Sequence, residues 1–352
     1  MPRVISSPVP LPLAPADGAV PGALVDQHGR VARDIRISLT DRCNLRCTYC
    51  MPAEGLPWQP RAEHLTADEI VQVAEVLIGL GIRTIRLTGG EPLLRRDLAD
   101  IVARLHALDG LEDLALTTNG VLLAQQAAGL AAAGGVRLNV SLDSTDPKHF
   151  QAVTRRDDLD RVLDGLREAR RYAELTPIKL NAVALKGITE DSLDGLLAVA
   201  ASVDAELRFI EPMPLDADRR WTPEDGVSGA ALRGLLASHG KLEPLPAPES
   251  ATAQRYLLRH ADGLEQAVGL IASVSEPFCG ACDRLRLTAD GQLRSCLFSH
   301  EEADLRTPLR AGASSDALKA IIRDAVWRKP RAHGINEPGF QAPDRPMSAI
   351  GG

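Results

Sequence analysis

The chain has 352 residues, of which 45% are hydrophobic and 25% are charged, and its formal net charge at pH 7 is −7. This composition is typical of a globular protein, and the negative charge argues against a general binder of nucleic acid or of anionic membranes. No apolar run reaches the roughly 18 residues that a membrane span needs. Prolines interrupt every apolar run near the N-terminus, so no signal peptide is predicted. We therefore expect a cytoplasmic protein without nucleic acid or membrane partners.

The prolines also set the expected organisation of the chain. Residues 1–30 are rich in proline, which forbids helix and disfavours strand, so this stretch is predicted to be a disordered leader. We expect a main domain over residues 31–215 and a C-terminal region over residues 216–352. The last part, from Arg328 onward, is rich in proline and glycine and on its own would be read as a frayed end.

From Ile35 the sequence alternates between strand and helix patterns. The predicted strands are 35–39, 84–88, 114–117, 137–141, 178–183 and 207–211, and the predicted helices are 70–80, 97–108, 122–133, 161–172 and 192–201. Such a series predicts a parallel sheet with helical crossovers. Six units are fewer than the eight of a closed barrel. The expected fold is therefore α/β, an open or partial TIM-like barrel of six (β/α) units with a C-terminal extension.

A compact cysteine loop follows the first predicted strand. Cys43, Cys47 and Cys50 lie within eight residues. Three thiolates on one short loop can hold three irons of an iron–sulfur cubane and leave the fourth iron open to a small molecule. A zinc site would need a nearby fourth ligand, and a disulfide would leave one cysteine over. The CxxxCxxC pattern resembles the signature of radical S-adenosylmethionine (SAM) enzymes, in which SAM chelates the open iron.

A second cysteine triplet lies in the C-terminal region. Cys279 and Cys282 form a CxxC pair, and thirteen residues separate Cys282 from Cys296. The Asp290-Gly291 pair predicts a hairpin that returns the chain and brings the third cysteine beside the first two. This predicts a second cluster with its own open iron. Zinc completed by His300 or by water is the alternative.

Polar and glycine-rich segments follow several predicted strands. Gly89–Pro92 follows the second strand, Thr117–Gly120 ends the third, and Ser141–Asp143 ends the fourth. The carboxyl ends of parallel strands in such folds carry the chemistry, so these segments are expected to converge on one active-site mouth. Each segment taken alone is also compatible with an ordinary turn.

Several basic residues indicate an anionic substrate. Arg284 and Arg286 are two residues apart on a predicted strand and therefore face the same side. Such a pair is often only a solvated face, but beside an open iron two guanidinium groups favour an anion. Further positive charge is expected from the barrel strands, at Arg36, Arg86, Lys179 and Arg208. A ligand with several phosphates would suit this pocket.

Taken together, these motifs resemble those of one family, the radical SAM GTP 3′,8-cyclases of molybdenum cofactor biosynthesis. The resemblance covers roughly residues 30–352. It rests on the ordered set of Asp41-Arg-Cys43 with CxxxCxxCMP, Arg86-Leu-Thr-Gly-Gly-Glu-Pro, Thr117-Thr-Asn-Gly, Asn139-Val-Ser-Leu-Asp, Arg208-Phe-Ile-Glu, the second cysteine triplet with its two arginines, and the terminal Gly351-Gly352.

The resemblance implies an activity and two cofactors. It implies two [4Fe-4S] clusters, one on Cys43, Cys47 and Cys50 and one on the second triplet, together with SAM. Reductive cleavage of SAM would give a 5′-deoxyadenosyl radical, which takes the 3′ hydrogen of GTP and leads to (8S)-3′,8-cyclo-7,8-dihydro-GTP. No side chain is implied as a general acid or base, and the tail residues Gly351 and Gly352 are implied to enter the active site.

The resemblance also implies contact residues and partners. The residues that match SAM contacts are Tyr49, Gly90, Ser141 and Met213. The residues that match GTP contacts are Arg36, Arg86, Thr117, Lys179, Arg284 and Arg286, with Arg208 as additional pocket charge. The implied partners are a flavodoxin- or ferredoxin-like electron donor and cyclic pyranopterin monophosphate synthase, which would take the product. A monomer or a homodimer is expected.

Two rival functions remain open from the sequence. One is another radical SAM enzyme with an auxiliary cluster, such as a peptide- or sulfatase-modifying maturase. Those relatives usually carry more C-terminal cysteines than the three found here. The other is a non-enzymatic iron–sulfur electron carrier or a zinc-stabilised scaffold, which would leave the Gly-Gly-Glu-Pro segment and the arginine pair without a role.

Overall fold

The structure is a computed structural model that describes residues 22–351. The strands are β1 (Asp34–Ser38), β2 (Thr84–Thr88), β3 (Asp113–Thr118), β4 (Arg137–Ser141), β5 (Lys179–Val183), β6 (Glu206–Ile210), β7 (Gly240–Leu245), β8 (Gln254–His260), β9 (Glu265–Ile271), β10 (Arg284–Leu287), β11 (Gln292–Arg294) and β12 (Ala303–Asp304). Within the described range, no helix is long and apolar enough to cross a bilayer.

Helices alternate with the first six strands, as the sequence predicts. The α-helices are α1 (Ala67–Gly79), α2 (Leu98–His106), α3 (Leu123–Ala132), α4 (Pro147–Thr154), α5 (Leu159–Ala169), α6 (Ile188–Ser202), α7 (Gly229–Ala237), α8 (Arg306–Arg310), α9 (Ser315–Trp327) and α10 (Met347–Ile350). Helix α1 begins with a capping box, in which the backbone N–H of Thr66 donates to the Glu69 carboxylate and the N–H of Glu69 donates to the Thr66 hydroxyl.

The chain forms two compact units, and each is made from segments that are distant in sequence. The first unit contains residues up to Cys43, residues 57–116 and residues from Cys279 onward, and the second contains residues 44–56 and 117–278. This division follows the packing of the chain. The predicted division into residues 31–215 and 216–352 follows chain order, and it stays a prediction.

The first unit is built around the strand order β12-β11-β10-β1-β2-β3. Strand β1 pairs in parallel with both β10 and β2, and β2 pairs in parallel with residues 113–116 of β3. The β10–β11 pair is antiparallel, and Gly291 in the turn has a φ of +79°, so the predicted hairpin at Asp290-Gly291 is confirmed. Strand β10, from the far end of the chain, thereby lies next to the strand that leads into the cysteine loop.

The second unit is built around the strand order β4-β5-β6-β9-β8-β7. The β4–β5, β5–β6 and β6–β9 pairs are parallel, and β9, β8 and β7 form an antiparallel meander. The central residues Leu180, Leu207 and Phe209 are completely buried. Apolar residues alternate with polar ones along β5, and this strand pattern is why the sequence could locate it.

Three features differ from the sequence predictions. Residues 22–30 are not a disordered leader: Leu24 is buried, Val25 bridges Val31, and the Arg30 guanidinium forms a 2.6 Å ion pair with Asp26. Residues 1–21 lie outside the described range. Helices α4 and α9 were not predicted. Helix α4 begins at an Asp146 N-cap that accepts from the N–H groups of Lys148 and His149, although Pro147 follows the cap directly.

Candidate active site

Three arginines lie side by side on neighbouring strands of the first unit. Arg36 of β1 is in register with Arg286 of β10 and with Arg86 of β2. Side chains at paired positions of adjacent strands point to the same face of a sheet. Ile35 and Ile37, which alternate with Arg36, are fully buried on the opposite face. The three guanidinium groups therefore form a row across the sheet, which we call the arginine row.

The guanidinium groups of the arginine row are crowded and removed from water. Burial, followed by the charge of Arg286, lowers the pKa of Arg36 to about 9. Burial, followed by the charge of Arg284, lowers the pKa of Arg286 to about 9. The Nε atom of Arg36 is buried and has no hydrogen-bond partner among residues 22–351. Like charges held close together away from water are stabilised by an anion, so this face suits a ligand with several negative charges.

The C-terminal tail is fastened to the same unit at three points. Arg345 forms ion pairs of 2.9 Å with Asp290 and 2.8 Å with Glu302. After the single turn of α10, the Ser38 hydroxyl donates a 2.8 Å hydrogen bond to the carbonyl oxygen of Ile350. The Arg286 guanidinium donates to the carbonyl oxygen of Gly351. The tail therefore ends at the arginine row and is not a frayed end.

Gly351 occupies a position that suits only glycine. Its φ is +92°, and a Cβ atom there would lie 2.0 Å from the Ser38 hydroxyl oxygen and 3.0 Å from the Thr88 methyl carbon. Both the left-handed backbone and the absence of space exclude a side chain. Gly352 lies outside the described range. The sequence pointed to Gly351 only through resemblance, and the contacts now give its physical reason.

The second cysteine triplet lies in the first unit and is held by two cations that the sequence analysis did not identify. The Arg30 guanidinium donates a 2.8 Å hydrogen bond to the carbonyl oxygen of Cys279. The Lys329 ammonium group donates to the carbonyl oxygens of Cys282 and Arg284, at 2.8 and 2.9 Å. Lys329 is only 3% exposed. These donors fix the backbone from which the thiols project. No local sequence signal marks either cation, because Arg30 acts across 249 residues and Lys329 across 47.

The thiols of the second triplet are half-buried, unoxidised and close enough to affect one another. Burial raises the pKa of Cys279 and of Cys296. Burial also opposes ionisation of Cys282, but the positive charges of Arg284 and Lys329 prevail and lower the pKa of this thiol to about 7. A thiolate is the ligand form of cysteine, so these surroundings fit a metal cluster.

The second cysteine triplet is compatible with a cluster. Across residues 22–351, no three His, Cys, Asp or Glu side chains converge as the ligands of one metal ion. Each thiolate of an iron–sulfur cluster binds a different iron, so the sulfur atoms need not converge on one point. The zinc alternative with His300 receives no support from the structure, because the His300 ring nitrogen contacts the carbonyl oxygen of Gln341 at 3.2 Å.

The Gly-Gly-Glu-Pro segment packs against the backbone that leads into the first cysteine loop. The N–H of Gly90 donates to the carbonyl oxygen of Thr40, and that of Glu91 donates to the carbonyl oxygen of Arg42, both at 2.7 Å. A Cβ atom on Gly89 or Gly90 would lie 2.4 or 2.3 Å from a backbone oxygen. The two glycines are thus required for this close approach, and the predicted contact of Gly90 with SAM stays a prediction.

The rest of the first cysteine loop lies in the second unit. The N–H of Cys50 donates to the carbonyl oxygen of Cys47 at 3.0 Å, which closes a tight turn between the two thiols. Arg155 donates to the carbonyl oxygens of Arg46 and Met51, at 3.0 and 2.8 Å. Its own φ is +56°. This arginine holds the loop from both ends, and the sequence analysis did not identify it.

Tyr49 is held in place by a buried carboxyl group. Its hydroxyl donates a 2.7 Å hydrogen bond to Asp143, and the second oxygen of Asp143 accepts the N–H of Val183 at 2.8 Å. Burial raises the pKa of Asp143 to about 6, even though both donors favour the ionised form. Asp143 thereby fixes the orientation of the aromatic ring that the sequence matches to a SAM contact.

We expect Asp143→Asn to flatten the dependence of stability on pH. The folded protein binds the Asp143 proton up to about pH 6, whereas the ordinary pKa is 3.8. The folded state therefore holds more protons than the unfolded state between these values, and stability falls as pH rises through this window. The free energy of unfolding should decrease by about 1 kcal/mol more in the wild type than in the variant between pH 5 and pH 7.

Urea unfolding of anaerobic protein, followed by circular dichroism at both pH values, measures this difference. Asparagine keeps one oxygen, which can accept the N–H of Val183, and its NH2 group can donate to the Tyr49 hydroxyl oxygen, so the fold should survive. Asp160→Asn, which changes an exposed acid on α5, is the matched control. Equal pH slopes for wild type and Asp143→Asn would show that burial does not raise the pKa of this carboxyl group.

The remaining predicted residues of the second unit occupy two rows across its parallel strands. Lys179 is in register with Asn139 and Glu206, and Asn181 is in register with Ser141 and Arg208. The predicted pocket charge of Arg208 is balanced, because its guanidinium forms a 2.6 Å ion pair with Glu206. Thr117 and Met213 are half-buried.

Each unit thus brings together part of the predicted site. The first contains the arginine row, Arg284, the second cysteine triplet and Gly351. The second contains Tyr49, Ser141, Lys179 and Arg208. Ser38, Arg30 and Lys329 are structural supports that the sequence analysis did not identify.

Comparison with known proteins gives a consistent result. The Radical SAM superfamily model matches residues 37–200, and the Molybdenum Cofactor Synthesis C model matches residues 205–335. The GTP 3′,8-cyclase of Mycobacterium sp. (strain KMS) is 51% identical over 98% of both chains. That of Streptomyces coelicolor is 51% identical over 94% of this chain and 96% of its own.

A solved structure supports the fold. Streptococcus suis SuiB bound to S-adenosylmethionine superposes with a TM-score of 0.59, over 89% of this chain and 69% of its own, at 12% sequence identity. The predicted fold, an α/β partial barrel of the radical SAM type with a C-terminal extension, is confirmed. Both relatives, about half identical over nearly the whole chain, are named GTP 3′,8-cyclase, and both family models match in the expected order. The chain therefore belongs to the GTP 3′,8-cyclase family of radical SAM enzymes.

Proposed function

We propose that this protein converts GTP into (8S)-3′,8-cyclo-7,8-dihydro-GTP, the first step of molybdenum cofactor biosynthesis. Family membership supports the activity. The single structural observation that carries the proposal is the arginine row with the carbonyl oxygen of Gly351 bound to Arg286. The contact between Arg286 and Gly351 supports a polyanion site in the first unit that the glycine tail adjoins.

Six cysteines would hold the two [4Fe-4S] clusters: Cys43, Cys47 and Cys50 the first, and Cys279, Cys282 and Cys296 the second. When bound, the first cluster and SAM supply a 5′-deoxyadenosyl radical that removes the 3′ hydrogen of GTP, and the second cluster offers an open iron to the purine. The protein supplies position, charge and exclusion of water. Arg30, Lys329 and Arg155 fix the two cysteine loops through backbone carbonyl oxygens.

Substrate binding is assigned mainly to charge. Arg36, Arg86 and Arg286 would bind the triphosphate, and burial together with neighbouring positive charge lowers the pKa of Arg36 and Arg286, an effect that an added anion would oppose. Guanidinium groups suit phosphate because they donate two parallel hydrogen bonds. Thr117, Lys179 and Arg284 complete the proposed contacts. Arg208 serves as a buried partner of Glu206.

SAM binding is assigned to Tyr49, Gly90, Ser141 and Met213. Tyr49 is oriented by Asp143. Gly90 holds the Gly-Gly-Glu-Pro segment against the approach to Cys43. Burial of the site would protect a carbon radical from side reactions.

The partners follow from the chemistry. An external protein of the flavodoxin or ferredoxin type would supply the electron, and cyclic pyranopterin monophosphate synthase would take the product. We propose a cytoplasmic location and a monomer or homodimer. The maturase rival is not favoured, because the C-terminal region has three cysteines and all three are accounted for by one cluster.

Anaerobic reconstitution tests the proposal. Protein with verified clusters receives dithionite and SAM, and 5′-deoxyadenosine is measured with GTP, with ATP and without nucleotide. We expect 5′-deoxyadenosine to rise with GTP alone. Formation that is indifferent to GTP would keep the radical SAM chemistry and reject the substrate. No formation at all would reject the enzymatic function.

A further inference from the structure

A second basic surface lies beside the approach to the first cysteine loop, outside the proposed substrate site. A cavity of about 370 Å³ opens there in the first unit, between the end of β1, the start of α1 and the segment that joins β2 to α2. Its charged lining consists of four arginines, one histidine and one carboxylate, namely Arg42, Arg61, Arg95, Arg96, His64 and Asp97. We call Arg42, Arg61 and Arg96 the arginine surface.

The charge of the arginine surface is not balanced by the protein. Arg95 is structural, because it forms a 2.8 Å ion pair with Asp97 and donates to the carbonyl oxygens of Leu39 and Leu65. His64 faces Asp41 at 3.2 Å. The three residues of the arginine surface are exposed, and none has an ion pair with any carboxylate of residues 22–351. Asp97 pairs with Arg95 and also interacts with the charge of Arg61, so one carboxylate faces four arginines and positive charge predominates on this surface.

Arginines elsewhere on the protein are arranged differently. Arg104 pairs with Asp68 at 2.8 Å, Arg167 with Asp164 at 2.6 Å and Arg171 with Glu168 at 3.1 Å. The whole chain carries a formal charge of −7. The net negative charge of the protein repels an acidic partner in general, whereas a local positive surface attracts and orients such a partner, which raises the rate of productive encounter at that surface.

The arginine surface lies next to the start of the first cysteine loop, where an electron must reach the proposed first cluster. Arg42 directly precedes Cys43, and its carbonyl oxygen accepts the N–H of Glu91 at 2.7 Å, so its backbone is fixed at the start of the cysteine loop. Each proposed cleavage of SAM consumes one electron, and the chain itself provides no donor. Electron transfer weakens steeply with distance, so the donor must dock close to this loop.

We propose that the arginine surface is the docking site for an acidic one-electron donor protein of the flavodoxin or ferredoxin type. The inference rests on the proposed function. In the transfer step, the flavin or iron–sulfur centre of the donor loses one electron and the first cluster gains it, with no bond formed. A small, charge-guided interface suits such an encounter, because redox partners must also separate quickly.

Charge reversal of Arg61 and Arg96 tests the proposal on the reconstituted full-length protein. Arg42 is left unchanged because it adjoins a proposed ligand. The double variant R61E/R96E is compared with R167E/R171E, which makes the same change of charge at two paired arginines, one on α5 and one just beyond its end. The probe is a flavodoxin of net negative charge, used oxidised for binding and reduced for turnover. Two readouts are taken: the affinity for oxidised flavodoxin across ionic strengths, and 5′-deoxyadenosine formed with flavodoxin or with dithionite.

We expect R61E/R96E to bind flavodoxin about tenfold more weakly at low ionic strength and to lose most of the salt dependence. Its flavodoxin-supported rate should fall in proportion, while the dithionite-supported rate stays at the wild-type value. The control should match the wild type in both. Wild-type affinity of R61E/R96E for flavodoxin would overturn the proposal. So would saturable binding of inorganic phosphate at one site in the wild type that R61E/R96E loses, because the surface would then be a phosphate site. Failure of all proteins with dithionite would instead reject the proposed function.

Discussion

Cys282→Ala should still cleave SAM but should form cyclised nucleotide roughly 100-fold more slowly or not at all. Cys282 is the thiol of the second triplet whose pKa is lowered to about 7, and its carbonyl oxygen is anchored by Lys329. Loss of this ligand should remove the second cluster and with it the group that positions the purine. A displacement of about 1 Å can cost 100-fold in rate, so loss of the positioning group should cost at least that.

Cys47→Ala is the contrasting variant. It should abolish SAM cleavage and nucleotide formation together, because it removes a ligand of the first cluster. Each variant should lose about half of the bound iron, which colorimetric iron determination measures beside the two product assays. The two-cluster account would be wrong if Cys282→Ala cyclised GTP normally, or if it lost SAM cleavage as completely as Cys47→Ala.

Gly351→Ala should lower the rate of cyclisation roughly 100-fold, as Cys282→Ala does, while leaving the fold intact. The added methyl group would overlap the Ser38 hydroxyl and approach the Thr88 methyl group, at a residue with φ of +92°. The tail would have to leave its place beside Arg286, although Arg345 would still hold its base. Uncoupled SAM cleavage should persist, because no predicted SAM contact lies in the tail.

Gly339→Ala separates steric exclusion from backbone strain. Gly339 also has a left-handed φ, of +85°, but a Cβ atom there would meet nothing within 4 Å. This control should cost roughly 1 kcal/mol of stability at most and little activity. Equal losses in both variants would show that the position of the tail at the arginine row does not matter. Kinetics with GTP and thermal melts of both variants decide between these results.

The parallel core could be predicted from sequence because its signals are local. Strand β4 lies where its alternating apolar and polar residues predicted, and α1 begins directly after its N-cap Thr66. The hairpin at Asp290-Gly291 could also be predicted from the sequence, because an Asp-Gly pair is typical of tight turns that need a residue with positive φ. The cysteine spacings identified the candidate ligands for the same reason.

The supports of the site could not be predicted, because they act between distant segments. Arg30 reaches Cys279, Arg345 reaches Asp290, and Ser38 reaches Ile350 across 312 residues. Nothing in the neighbourhood of these residues indicates their partners. Resemblance supplied Gly351 as a candidate, but only the geometry shows why its φ and its contact with Ser38 require glycine. The arginine row likewise depends on strand register, which the strand boundaries alone leave open.

One measurement tests the central claim most directly. GTP carrying deuterium at C3′ is turned over anaerobically with SAM, and the mass of the 5′-deoxyadenosine formed is determined. The account predicts transfer of deuterium into 5′-deoxyadenosine, together with a cyclised nucleotide that has lost it. Unlabelled 5′-deoxyadenosine in the presence of a new nucleotide would contradict removal of the 3′ hydrogen and with it the proposed reaction.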